Sequence, residues 1–259
     1  VNEQLDYAGK VVLVTGGGKG VGRGITERFL AAGATVVICG RNAPDTLPAV
    51  DGRSAIFHPA DVRNPEAVNE LFGVVEREHG RLDVLVNNAG GTPFALTADA
   101  SARFHQSMIE LNLTSPLLLA IRANAIMQKQ EQGGVVVFIA SVGAFRPSPG
   151  SATYAAAKAG IISLTQSLAV EWAPKVRVVA VSPGLVHTEQ SDLHYGDTAG
   201  LASVAATVPL GRMALPTDIG DVCVYVASPG AAYVSGVNLT VHGGGERPAF
   251  LQAANVNKS

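Results

Sequence analysis

The chain has 259 residues, 47% of them hydrophobic and 15% charged, which is enough apolar material for one large α/β domain with a substantial core. Nineteen basic residues against 21 acidic ones leave a net charge of −2, so nothing offers an electrostatic footprint to nucleic acid or an anionic membrane. The longest apolar runs, such as Val135 to Ala140, fall far short of the ~20 residues that a bilayer span requires.

The first six residues, Val-Asn-Glu-Gln-Leu-Asp, carry acids and no apolar stretch, so no secretory signal is visible. Short β-branched runs then alternate with longer helical stretches. Strands are expected at Val11–Thr15, Thr35–Cys39, Ser54–Phe57, Val84–Val86, Val135–Ala140, Val176–Val181 and Asn238–Val241. Helices are expected at Val21–Ala32, Pro65–His79, Ala100–Gln130, Ser151–Trp172 and Pro216–Ser228. Strands that are apolar throughout, separated by helices, predict a parallel sheet covered on both faces. Right-handed crossovers make this a doubly wound α/β sheet of seven strands, with ligands at the carboxyl ends of the strands. No linker or internal repeat divides the chain, so residues 1–259 read as a single domain. Two segments look irregular. Arg41 to Arg53 contains Pro44 and Pro48 and has little room for a full helix. The stretch 187–208 lacks a clear period and reads as a substrate lid. Cys39 and Cys223, in a strand and a helix, read as buried free thiols, which suits the reducing cytoplasm.

Thr15-Gly16-Gly17-Gly18-Lys19-Gly20-Val21-Gly22 joins the first strand to the first helix. Glycines there admit positive φ and let backbone N–H groups approach a pyrophosphate, and the following helix points its dipole at the same anion. The spacing Gly16-x3-Gly20-x-Gly22 departs from G-x-G-x-x-G and resembles the Thr-Gly-x-x-x-Gly-x-Gly signature of short-chain dehydrogenases/reductases. Further segments agree in order. They are Asn87-Asn88-Ala89-Gly90 after the fourth strand, Asn112 within Glu-Leu-Asn-Leu-Thr, and Ser141 at the end of the fifth strand. Tyr154-Ala-Ala-Ala-Lys158 and Pro183-Gly184, with Thr188 beyond, complete the set. The resemblance runs from about Gly9 to Gly245.

Tyr154 and Lys158 are four residues apart on a predicted helix and share one face. A nearby ammonium favours the phenolate of a tyrosine that otherwise titrates near ~10. The resemblance implies a Rossmann-type fold with Asn112, Ser141, Tyr154 and Lys158 as catalytic group. In it Ser141 binds the substrate oxygen, Tyr154 moves the proton, Lys158 also holds the nicotinamide ribose, and Asn112 holds a water of the relay. It implies cofactor contacts from Gly16, Lys19, Gly20, Val21, Gly22 and Arg41, and from Asp61 and Val62 around the adenine. Asn88, Ala89 and Gly90 would line the riboses, and Pro183, Gly184, Val186 and Thr188 the carboxamide.

The expected activity is hydride transfer between NADP(H) or NAD(H) and a carbonyl or secondary alcohol of a small, mainly apolar substrate. Gly40 stands where NAD-dependent members place a carboxylate for the ribose 2′-hydroxyl, and Arg41 follows with a guanidinium suited to phosphate. NADP(H) is therefore favoured, and NAD(H) is possible. The alternatives are a catalytically silent nicotinamide-binding sensor or scaffold of the same fold, and an isomerase or dehydratase using the same site. No G-x-S-x-G surrounds a serine, which argues against a serine hydrolase, and the histidines show no metal-binding spacing. A homotetramer pairing the Ala100–Gln130 and Ser151–Trp172 helices across a two-fold axis is expected by resemblance, with no nucleic-acid or membrane partner.

Overall fold

The computed structural model describes residues 5–246 together with 248, 249 and 253. The outermost residues of the 1–259 domain reading lie outside these described residues. β1 (Val11–Thr15) is buried along its whole length, and its residues alternate between two core layers. Val11 and Leu13 pack with Phe72, Leu119 and Ile161, while Val12 and Val14 pack with Ile25, Phe29 and Ile219. A strand with helices on both faces has no polar side to show, which is why Val11–Val14 are all apolar, and Thr15 at its end is buried as well.

The chain continues through α1 (Gly20–Ala31), β2 (Thr35–Gly40), a hairpin of β3 (Ala49–Val50) and β4 (Arg53–Ser54), and β5 (Ile56–Pro59). α2 (Pro65–His79) follows, started by the Asn64 side chain, which accepts from the Ala67 N–H at 3.0 Å, and ended by left-handed Gly80. Then come β6 (Val84–Asn87), α3 (Ala102–Ile109), α4 (Ser115–Met127), β7 (Gly134–Ile139), α5 (Ala152–Glu171) and β8 (Val176–Pro183). α6 (Asp192–Tyr195), α7 (Thr198–Thr207), α8 (Pro216–Ala227) and β9 (Val237–Val241) complete it. Seven strands pair in parallel in the order β5-β2-β1-β6-β7-β8-β9. The chain order reverses between β1 and β6, so their carboxyl ends open the crevice where such sheets bind ligands.

Three segments differ from the sequence expectation. The strand expected at Ser54–Phe57 is divided. Ser54 closes a hairpin turning at Asp51-Gly52, both at positive φ, while Ile56 and Phe57 enter the main sheet. The long helix expected over Ala100–Gln130 is interrupted by a π turn at Glu110–Thr114. Pro116 has no N–H for the carbonyl four residues back, that of Asn112, so the α ladder cannot run through this point. The stretch 187–208, expected to be irregular, is largely helical as α6 and α7. Asp197 caps α7 by accepting from the N–H groups of Ala199 at 3.1 Å and Gly200 at 3.0 Å. Among the described residues no helix is long and apolar enough to cross a membrane.

Candidate active site

The crevice between β1 and β6 is built from two loops tied together by one hydroxyl. Thr15 Oγ1 is buried and accepts from the N–H groups of Asn88 at 3.0 Å and Ala89 at 2.9 Å. The Asn88 amide returns the tie, donating to the carbonyls of Thr15 at 2.9 Å and Gly16 at 3.3 Å. Gly16 and Gly20 adopt positive φ, and a Cβ on Gly22 would overlap the Gly16 carbonyl oxygen and Asn88 Nδ2. The glycines thus allow the loop to fold tightly against its neighbour.

At the carboxyl end of β7, Ser141 leads a short 3₁₀ turn and its Oγ accepts from the Gly143 N–H at 3.1 Å. A hydrogen bond from Ser141 reaches Tyr154, in the first turn of α5. One helical turn on, Lys158 is 4% exposed, and its ammonium lies 5.6 Å from the centre of the Tyr154 ring. Lys158 Nζ donates to the Ile139 carbonyl at 2.7 Å. Burial pulls Lys158 down to about 8 and so brings its proton exchange near neutrality. The phenol of Tyr154 behaves differently from the sequence expectation. Its burial pushes it above the ordinary tyrosine value, and the Ser141 hydrogen bond only partly offsets this.

Asn112 is fully buried in the π turn. Its Nδ2 donates to the carbonyls of Gly91 and Met108, each at 3.0 Å, and its Oδ1 accepts from the Gly91 N–H at 2.9 Å. A Cβ on Gly90 would stand 2.7 Å from Asn112 Oδ1 and 3.4 Å from Lys158 Nζ. Asn112, Gly90, Lys158, Tyr154 and Ser141, spread over 68 positions of the chain by their numbers, therefore meet at one place.

The remaining predicted positions surround this centre. Val21 and Gly22 begin α1, and Val62 is buried behind Asp61. Asp61 is clamped by Arg63, whose Nε and Nη2 donate to its two oxygens at 3.0 and 2.7 Å. These bonds, with a smaller contribution from nearby Arg41, hold its carboxyl below the usual range. Lys19 and Arg41 are exposed, and neither makes a side-chain hydrogen bond or ion pair among the described residues. Pro183 ends β8, and the Gly184 N–H donates to the Val241 carbonyl at 2.9 Å. Val186 bridges to Ala214, and the Thr188 N–H donates to Ser191 Oγ at 2.8 Å. Sequence reasoning assigned no role to Thr15, Arg63 or Glu189, all of which the fold brings to the crevice.

Comparison with known proteins agrees with this geometry. A family profile described as Enoyl-(Acyl carrier protein) reductase matches residues 16–246. A 3beta-hydroxysteroid dehydrogenase of Eggerthella lenta is 35% identical over 246 residues, covering 92% of this chain and 94% of that protein. An uncharacterized short-chain type dehydrogenase/reductase of Sinorhizobium fredii is 35% identical over 243 residues. The match covers 91% of this chain, which spans only 43% of that longer protein. The ligand-free structure of an aldohexose dehydrogenase from Thermoplasma acidophilum superposes with a TM-score of 0.85 at 27% identity, covering 98% of both chains. The chain belongs to the short-chain dehydrogenase/reductase family of oxidoreductases that act on carbonyl or alcohol groups.

Proposed function

We propose that this chain reversibly reduces a carbonyl to a secondary alcohol with a nicotinamide dinucleotide, using Tyr154 as the proton donor. The observation that carries this reading is the convergence of Ser141, Tyr154 and Lys158 beside Gly90 at the sheet's carboxyl edge. The residues present fit a dinucleotide. The Gly16–Gly22 loop leaves the Gly20 N–H at a helix N-terminus, and that N–H already holds a carboxylate in this structure. Gly16, Gly20, Val21 and Gly22 would hold the pyrophosphate, Asp61 and Val62 the adenine, and Asn88, Ala89 and Gly90 the riboses. Pro183, Gly184, Val186 and Thr188 would hold the carboxamide. When bound, the dinucleotide supplies or takes up the hydride.

Ser141 donates a hydrogen bond to the carbonyl oxygen and fixes it against Tyr154. The Tyr154 hydroxyl gives its proton to that oxygen as the carbon is reduced, and withdraws it in the reverse direction. The Lys158 ammonium steadies the phenolate left behind, and by resemblance also binds the nicotinamide ribose. Asn112 holds the Gly91 backbone in place through two hydrogen bonds, and a third, to the Met108 carbonyl, fixes the amide on its own helix.

The cofactor we favour is NADP(H). Gly40 places no carboxylate at the end of β2, while the free cations Lys19 and Arg41 stand ready for a 2′-phosphate. The 187–208 segment would serve as the lid. Exposed Phe94, Phe145 and Leu193 support a mainly apolar substrate. The relatives named above differ in substrate, a steroid against a hexose, so the shared site fixes the reaction and not the molecule. Buried free Cys39 and Cys223 support a reducing cytoplasm. Exposed Leu118, Ile121 and Val170 on α4 and α5 support pairing of these helices in a homotetramer, and light scattering that shows a monomer at micromolar concentration would remove that assignment.

The decisive experiment follows reduced-cofactor absorbance over a panel of ketones with wild type and Tyr154→Phe. The substitution removes only the hydroxyl, so turnover should fall by ~10²–10⁴-fold with the cofactor still bound. Near-wild-type turnover in the variant would end the proposed mechanism.

A further inference from the structure

The Gly20 N–H at the start of α1 already has a partner within the chain. It donates to the Glu189 carboxylate, at 3.0 Å to Oε1 and 3.3 Å to Oε2. Glu189 is 169 residues away in sequence, on the turn that joins β8 to α6. That turn is firmly built. Ser191 is 2% exposed, its Oγ accepts from the Thr188 N–H at 2.8 Å, and its own N–H donates to the Thr188 carbonyl at 3.0 Å. The Gln190 N–H donates to Thr188 Oγ1 at 3.3 Å, so the backbone on both sides of Glu189 is held. A Cβ on Gly20 would lie 3.8 Å from the Thr188 methyl, which shows how closely the turn covers the glycine loop.

We propose that Glu189 is a built-in anion that occupies the pyrophosphate position until a dinucleotide displaces it, which makes it a determinant of cofactor affinity. The inference rests on the dinucleotide reading above. A carboxylate and a pyrophosphate are both anions drawn to the same N–H groups and the same helix dipole, and they cannot occupy one place together. Glu189 is exposed, so it can swing into solvent without leaving a buried charge behind. The closed form is therefore weakly held. Cofactor entry must break the contact and then tolerate a nearby negative charge.

The test is titration of wild type, Glu189→Gln and Glu189→Ala with NADPH and NADH, following nicotinamide fluorescence at equilibrium and in stopped flow. Removing a charge at a helix N-terminus should tighten binding by about 3- to 10-fold in Glu189→Ala. Most of this gain should appear in Glu189→Gln, which keeps an acceptor and loses the charge. The association rate should rise with the affinity, because displacement precedes docking. An affinity that is unchanged or weakened in both variants, with wild type still binding, overturns the role given to Glu189 and leaves the dinucleotide reading standing. Failure of all three proteins to bind either dinucleotide overturns the dinucleotide reading, and this inference with it.

Discussion

Replacing Lys158 by methionine keeps a long, flexible apolar stem and removes the buried ammonium. In the folded protein burial lowers Lys158 from its ordinary 10.5 to about 8. At ~1.4 kcal/mol per pH unit, that displacement means the native state bears a penalty of about 3 kcal/mol whenever the side chain is charged. The sign follows from proton counting. Between about pH 8 and 10.5 the unfolded chain binds more protons at this residue than the native one, so native stability rises with pH there. Stability from this group is at its full value above 10.5 and is lost as pH falls to about 8. Lys158→Met has no such dependence. The lost hydrogen bond to Ile139 adds only an offset, about 1–3 kcal/mol, that does not vary with pH. Urea denaturation of both proteins at pH 7 and pH 10 should therefore show wild type gaining about 2–3 kcal/mol relative to the variant. A difference that stays flat across this range would mean that Lys158 is solvated, and would refute its assignment as a desolvated proton-exchanging group.

Two further outcomes are expected. Gly22→Ala forces a methyl into the Gly16 carbonyl and the Asn88 amide, so stability should fall by about 1–3 kcal/mol and dinucleotide affinity with it; thermal melts and fluorescence titration check both, and an unchanged affinity would detach the glycine loop from cofactor binding. Gly40→Asp with Arg41→Ala should weaken NADP(H) by roughly 10- to 100-fold and favour NAD(H), because a charged hydrogen bond is worth ~1.5–3 kcal/mol. A Cβ at Gly40 has its nearest neighbour at 3.6 Å, so the new side chain fits, and wild type that prefers NAD(H) would overturn the assignment.

The parts of this fold that the sequence makes plain are those in which one residue pattern has one physical solution. Val11–Val14 and Val135–Ile139 are apolar at every position because both of their faces are covered, and both were read as strands. Tyr154 and Lys158 were readable because helix geometry puts them on one face and their spacing matches the motif of the family the chain resembles. The hairpin at Asp51-Gly52 was missed although an Asp-Gly pair is a strong turn signal, because Pro44 and Pro48 made the whole of Arg41 to Arg53 look irregular. α7 escaped notice because its Ala-rich segment has no polar stripe to mark a period, and only the Asp197 cap announces it. The ties from Thr15 to Asn88 and from Glu189 to Gly20 join residues 73 and 169 positions apart, and no local pattern encodes them. The Asp61–Arg63 clamp lies only two residues apart, outside the helical spacing that sequence reading searches.

The Thr15 hydroxyl has an evolutionary corollary. One buried oxygen sets the width of the gap between the glycine loop and the Asn88-Ala89 backbone, so that half of the crevice keeps its shape with nothing in it. The stretch of α6 and α7 is built differently, with Gly196 between the helices and Gly211 beyond α7 at positive φ and no buried side chain in α7. With this stretch as the lid proposed above, mutations in it would alter which molecule is admitted without touching the frame held by Thr15. Such a division lets new specificities arise through neutral drift on one side while selection for redox chemistry acts on the other.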